Sequence, residues 1–170
     1  SMLAKLVHQR WISSEFKKLL SECIDLDSGK VILEHLTFVE SKQIELLYDD
    51  WKKKLSLSDD FVESFSRTVS EATYIWQKSK EENNYKLFKP HLEKLIYLAQ
   101  QKATLVNNKQ PIYDVLLDEY EPGMSSKRLF SILEPLKYEC IEMLAKIKKT
   151  KLNFNSINHQ FDISRQLELS

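Results

Sequence analysis

Glycine and proline are nearly missing from this chain, with two and four respectively in 170 residues. Turn-rich β architectures need glycine at φ > 0 and proline at loop corners, so the punctuation for a sandwich or barrel is absent. Gly29 and Gly123 lie too far apart to write a P-loop, a G-x-G-x-x-G turn or a G-x-S-x-G elbow. The two cysteines, Cys23 and Cys140, are too few for the dense disulfide frameworks of small secreted folds. No secretory apolar region opens the chain, since Lys5, His8 and Arg10 interrupt the clusters there, and no Asn-x-Ser/Thr acceptor occurs. A reducing, cytoplasmic setting is the expectation. Net charge is missing too: 25 basic and 25 acidic side chains cancel. No global field therefore draws in nucleic acid or an anionic membrane. Apolar runs stay short of the roughly eighteen residues that a bilayer span needs.

What is present is helical patterning. With 42% apolar residues the chain can build a core for one soluble domain or two tightly packed ones. Ile12, Phe16, Leu19, Leu20 and Cys23 share one face of a first helix, which Asp25 to Gly29 breaks. Ile44, Leu47, Tyr48, Trp51 and Leu55 mark a second. Ser58 reads as an N-cap, with Asp59 and Asp60 suited to the positive first turn and Leu57 and Val62 placed as a hydrophobic staple. A third helix carries Phe61, Phe65, Val69, Ala72 and Trp76 and ends at Asn83-Asn84. The fourth is expected to start near Pro90, because proline suits a first turn, with Leu92, Leu95, Ile96, Ala99 and Ala103 following on one face. A short helix is expected over Tyr113 to Tyr120, running into the turn Glu121-Pro122-Gly123. Ser125 is placed to cap the last long helix. Its stripe, Leu129, Ile132, Leu133, Leu136, Cys140, Met143, Leu144 and Ile147, is the cleanest in the chain and is expected to be core. Pro135 inside it should kink or locally unwind it. Asn153 to His159 reads as a polar linker, and Phe161 to Ser170 as a helix capped by Asp162 that stops without a C-cap. The chain is expected to be cut rather than finished, and Ser1-Met2 reads as a cleavage scar.

The chemistry-bearing motifs are sparse. None of the four histidines has a second at +4, so H-E-x-x-H is absent. His91-Leu92-Glu93 lacks the P-C-x-x-C that would complete a deaminase site. Cys140, on a core stripe, reads as a small hydrophobe rather than a nucleophile. Lys52-Lys53-Lys54 and the lysines near position 149 are flanked by acids and read as solvated faces. Phe61, Phe65, Trp76 and Phe88 read as packing. The odd stretch is Tyr113 to Met124, where Asp118, Glu119 and Glu121 place three acids within four residues. The plain reading is a short helix with an acidic end, closed by a Pro-Gly turn in which Gly123 takes φ > 0. The functional reading is a paired-carboxylate site or cation-binding rim.

Tyr113-Asp114, followed by Leu116-Leu117-Asp118-Glu119-Tyr120-Glu121-Pro122-Gly123-Met124-Ser125, resembles the YD-x-LLDEYEPGMT segment of the carboxypeptidase Taq family of metallocarboxypeptidases. Its flanks agree in order. Phe88-Lys89-Pro90-His91-Leu92-Glu93-Lys94-Leu95 is similar to the family's F-x-P-H-L-E-K-L stretch, and Trp76 to Lys80 to its W-x-x-A-(R/K) helix. Leu129 to Leu144 resembles the leucine pattern that follows, and Phe161-Asp162-Ile163 through Gln166 a short element placed after it. The resemblance is strongest from about Thr68 to Ile147. It implies an all-helical, cytoplasmic, broad-specificity enzyme that trims C-terminal residues with one catalytic zinc and is commonly a homodimer. The family's HPF and H-E-x-x-H motifs and its later arginine- and histidine-bearing motifs have no counterpart here, and His159-Gln160-Phe161 is not HPF. No catalytic or metal residue is carried over. The segment Tyr113, Asp114, Leu117, Asp118, Glu119, Tyr120, Glu121, Pro122 and Gly123 is expected to be structural.

The fold expected is all-α: a bundle of about five long helices plus a short one ending in the Pro-Gly turn. Residues 3–152 would be the bundle, and 153–170 a linker and the start of a truncated helix. The function expected is that of the N-terminal helical fragment of a zinc metallocarboxypeptidase, inactive alone. Its partners would be the remainder of that chain, a peptide substrate and a possible second copy, without nucleic acid or membrane. The alternative is a standalone helical interaction module that lacks the catalytic half.

Overall fold

The structure is a computed structural model that describes residues 2–150 and 166. Seven helices run through the described residues: α1 (Met2–Trp11), α2 (Ser14–Ser21), α3 (Phe38–Leu55), α4 (Asp59–Glu81), α5 (Tyr85–Val106), α6 (Ile112–Leu117) and α7 (Ser126–Lys149). No strand forms among them, only one isolated antiparallel bridge between Ile24 and Val31. The fold is all-α, as the scarcity of glycine and proline predicts. The chain divides into two compact units, Ser1–Ser126 and Lys127–Ser170. The linker expected over 153–159 and the helix expected from Phe161 lie outside the described residues, Gln166 excepted.

Local chemistry explains most helix ends. The Ser58 hydroxyl accepts from the Phe61 N–H, so the expected cap starts α4. Asn83, at φ 49°, takes the left-handed conformation just past its end. A capping box that hydropathy does not reveal starts α3. Thr37 Oγ1 accepts from the Glu40 N–H at 3.3 Å, and the Glu40 carboxylate accepts from the Thr37 N–H at 2.8 Å.

The first unit holds a core of Leu20, Ile24, Tyr48 and Trp51, with Trp11, Phe16, Leu26, Val31 and Ile44 packed around it. Asp25 to Gly29 forms the turn that puts Ile24 there. The Asp25 carboxylate accepts from the Ser28 N–H and Oγ–H, both at 2.6 Å, and Tyr48 Oη–H donates to the Leu26 carbonyl at 2.8 Å. Gly29 sits at φ 69°, where a Cβ would meet Tyr48 Cε1 at 2.9 Å. Helices α4 and α5 pack against each other, and α1 lies on α4. The buried face of α4 is small and polar, Thr68, Ala72 and Ser79, and α5 contributes Leu98 and Ala103. Small side chains let helix axes approach closely.

Several expectations change. The first helix is two: the chain breaks at Ile12-Ser13, where the Ser13 hydroxyl accepts from the Phe16 N–H and caps α2, while α1 precedes it. Helix α5 starts at Tyr85 rather than Pro90, so Pro90 is interior; it and Lys86 are exposed, leaving the carbonyl it cannot serve open to water. Helix α6 ends at Leu117, short of Tyr120, because Asp118 turns inward to cap the turn that follows. The stripe of α7 is not core. The helix runs unbroken through Pro135, but it buries no residue, and Cys140 is exposed. Trp76 is exposed as well, with Lys80 Nζ 5.4 Å from its ring centroid.

Candidate functional site

The acidic segment after α6 is built on two lysines: Lys53, which the sequence places on a solvated face, and Lys102. Asp118 Oδ1 accepts from the Gly123 N–H at 2.8 Å and Oδ2 accepts from Lys53 Nζ at 2.7 Å. The Gly123 N–H, and then the Lys53 ammonium, hold the Asp118 carboxyl below its ordinary pKa. Glu119 Oε1 lies 2.6 Å from Lys102 Nζ, which also stands 5.8 Å from the Phe65 ring centroid. Between these pairs the Met124 N–H donates to the Glu121 carbonyl at 2.9 Å, with Pro122 and Gly123 (φ 76°) in the middle of the turn. Proline at the second position and positive φ at the third are the signature of a type II turn. The Asp114 carboxylate accepts from the Ser126 N–H at 2.9 Å and so fixes where α7 begins.

The segment is a clasp. Asp118 ties it to the C-terminal end of α3 and Glu119 ties it to α5, so the two adjacent acids face different cations. They do not converge as a carboxylate pair. Glu121, Tyr113 and Tyr120 point to solvent, and Leu117 is half-buried. Neither Lys53 nor Lys102 announces this role in the sequence, because each partner lies far along the chain: 65 residues separate Lys53 from Asp118.

An open cleft of about 1180 Å³ runs beside the clasp, with Val7, Leu46, Phe61, Phe65, Lys53 and Asp118 among its walls. His8 also lines it and is 4% exposed. Its Nε2 lies 3.0 Å from the Leu57 carbonyl. A carbonyl only accepts, so Nε2 carries the proton. Asp59 Oδ1, buried without a hydrogen bond of its own, is 3.7 Å from the same nitrogen. Among the described residues no group of three or more His, Cys, Asp or Glu side chains is placed to hold a metal ion. His8 is committed to Leu57, exposed His35 lies on the loop before α3, and His91 lies on α5.

The sequence profile described as carboxypeptidase Taq (M32) metallopeptidase matches residues 1–170. This chain belongs to the carboxypeptidase Taq family. Thermostable carboxypeptidase 1 of Pyrococcus furiosus is 28% identical to it over 145 residues, which is 85% of this chain and 28% of that protein. Carboxypeptidase 1 of Bacillus subtilis is 27% identical over 131 residues, 76% of this chain and 26% of that protein. The solved structure of Pyrococcus furiosus carboxypeptidase aligns with a TM-score of 0.70 at 28% identity, covering 85% of this chain and 28% of that one. The structure of BsuCP shares the fold, with a TM-score of 0.83 at 24% identity over 99% of this chain and 33% of that one. The chain thus spans about a quarter to a third of the relatives it matches. The family match covers residues 1–170 as a whole and so takes in the clasp.

Proposed function

We propose that this chain is the N-terminal helical part of a cytoplasmic zinc metallocarboxypeptidase that removes C-terminal amino acids from peptides with broad specificity, and that it does not catalyse alone. One observation carries the reading: the family match runs through residues 1–170, yet the matched portion is only 28% of the Pyrococcus furiosus relative. When bound, zinc would polarise the scissile carbonyl and activate a water. The described residues do not fit that ion, since their histidines are dispersed and no three donors converge. On this reading the metal and the general base come from the part of a family-length chain that lies outside residues 1–170. The role left to these helices is to wall the peptide groove, with the Lys53–Asp118 and Lys102–Glu119 pairs holding α3, α5 and the Pro-Gly turn in register. A homodimer is compatible with this role.

Purified chain, supplied with zinc and an N-blocked peptide, is expected to release no C-terminal amino acid and to retain no stoichiometric zinc after dialysis. Turnover that a chelator abolishes would sink the claim of inactivity. The second reading, a standalone interaction module, draws on the exposed stripe of α7. A reading frame that continues past the codon for Ser170 into HPF and H-E-x-x-H decides for the enzyme, and a stop codon decides for the module.

A further inference from the structure

We infer that α2 and α3 form a lever over the open cleft, and that the Lys53–Asp118 ion pair is the latch that sets how far this lever stands from α4 and α5. The packing of the first unit separates two groups. Helices α4, α5 and α6 pack in sequence, with α1 on α4. Helix α3 instead draws its core partners from α2 and the turn after it, Tyr48 and Trp51 meeting Leu20 and Ile24. The cleft of about 1180 Å³ lies between the groups, with Leu46 and Asp50 of α3 on one side and Phe61, Phe65 and Val106 on the other. Leu46 remains 47% exposed, so apolar packing does not close the gap there.

Two short connections join the groups, residues 12–13 between α1 and α2 and residues 56–58 between α3 and α4. Both lie at one end of the lever, where His8 Nε2 is 3.0 Å from the Leu57 carbonyl and Lys54 Nζ is 4.6 Å from the Trp11 ring centroid. A few residues at the ends of helices are what a hinge needs. The latch sits close to this pivot. Counted from Leu57, Phe38 lies about five times as far along the helix as Lys53, so a small parting of the pair is magnified about fivefold at the far end of α3. Phe38 and Val39 at that end are exposed. When Lys53 lets go, Asp118 stays in place, because its other oxygen still accepts from the Gly123 N–H. The pair can let go because both side chains keep about a third of their surface in water, where salt screens them. The Lys102–Glu119 pair supplies a matched control. Its side chains are 27% and 34% exposed, but it ties α5 to the segment after α6 and does not reach the lever.

The experiment measures the distance between nitroxide labels by double electron–electron resonance. The labels sit on Gln43→Cys in α3 and Glu71→Cys in α4, both exposed positions, in the whole chain with Cys23→Ser and Cys140→Ser. At low salt a single narrow distance is expected. Lys53→Met should lengthen it by about 3 Å or more, since Gln43 lies roughly three and a half times as far from Leu57 as Lys53 does. Lys102→Met should leave it unchanged. A distance that Lys53→Met leaves in place, in a variant whose circular dichroism matches the parent, would overturn the latch. An equal lengthening by Lys102→Met would overturn it too, because the loosening would then be general. So would a broad distribution in the parent, because the lever would then stand unlatched. Should Lys53→Met not fold, the parent in about 0.5 M potassium chloride carries the same test: screening should lengthen the distance, and no change overturns the latch.

Discussion

Replacing Asp118 by alanine removes two acceptors at once, and the geometry assigns each a different weight. The Lys53 and Asp118 side chains keep 33% and 35% of their surface in water, so screening holds their ion pair to about 0.5 kcal/mol. The bond from the Gly123 N–H, at 2.8 Å, links a charged acceptor to the backbone of the turn and contributes about 1–1.5 kcal/mol. Asp118→Ala should therefore cost about 2 kcal/mol. Asp118→Asn keeps an oxygen for Gly123 and should cost about 0.5–1 kcal/mol, while Lys53→Met should cost about 0.5 kcal/mol. Urea denaturation followed by tryptophan fluorescence at neutral pH measures all three. The pH dependence gives a second reading. The carboxyl pKa is lowered in the fold, chiefly by the Gly123 N–H and then by Lys53. The unfolded chain therefore binds more protons through the acidic window, and stability rises with pH there. The contribution of Asp118 is complete above its ordinary value of about 3.9 and is lost as pH falls through the lowered folded value. The gap between the parent and Asp118→Ala should accordingly close as the pH drops below about 4. Equal costs for alanine and asparagine, or a gap that persists in acid, would refute the clasp as described.

The two glycines form a matched pair for separating backbone strain from crowding. Both sit at positive φ, 69° and 76°, so alanine at either should cost about 1–2 kcal/mol for the left-handed conformation. Only at Gly29 would the new Cβ meet Tyr48 Cε1 at 2.9 Å, adding about 1–3 kcal/mol; equal denaturation midpoints for the two variants would remove the steric argument. Pro90→Ala restores one helical N–H inside α5 and should raise stability by about 1–2 kcal/mol after the loss of proline's rigidity in the unfolded chain is set against it. A lower melting temperature would mean that the ring packs in a way its exposure does not suggest.

What reads directly from the sequence is whatever is decided within a few residues. Ser58 caps α4 because its hydroxyl reaches the N–H three positions on. Gly123 takes positive φ because the residue after Pro122 in this turn must. The misreadings begin where the partner is distant. His8 gives no local sign of being buried, yet it is, with its Nε2 3.0 Å from the Leu57 carbonyl 49 residues away, which accepts its hydrogen bond. Val69 and Trp76 look like the core of α4, yet the face that meets its neighbours is Thr68, Ala72 and Ser79. Hydropathy ranks side chains by their affinity for oil, whereas close helix contact selects them by size.

The stripe of α7 is the opposite case, a pattern read correctly and a destination read wrongly. Periodicity establishes that Leu129, Leu133, Leu136, Met143 and Ile147 share a face; it carries no information about which surface that face meets. The same limit applies to the acids of the clasp. Three carboxylates within four residues specify a dense negative charge, but whether they gather a cation or part to separate lysines depends on where α3 and α5 deliver Lys53 and Lys102. Here Asp118 and Glu119 are taken by lysines of different helices, which turns a possible reactive pair into two ties. With its two acids held by lysines of α3 and α5, the segment fixes distances between those helices. Its disruption should show first in stability, and only through stability in any activity of a longer chain.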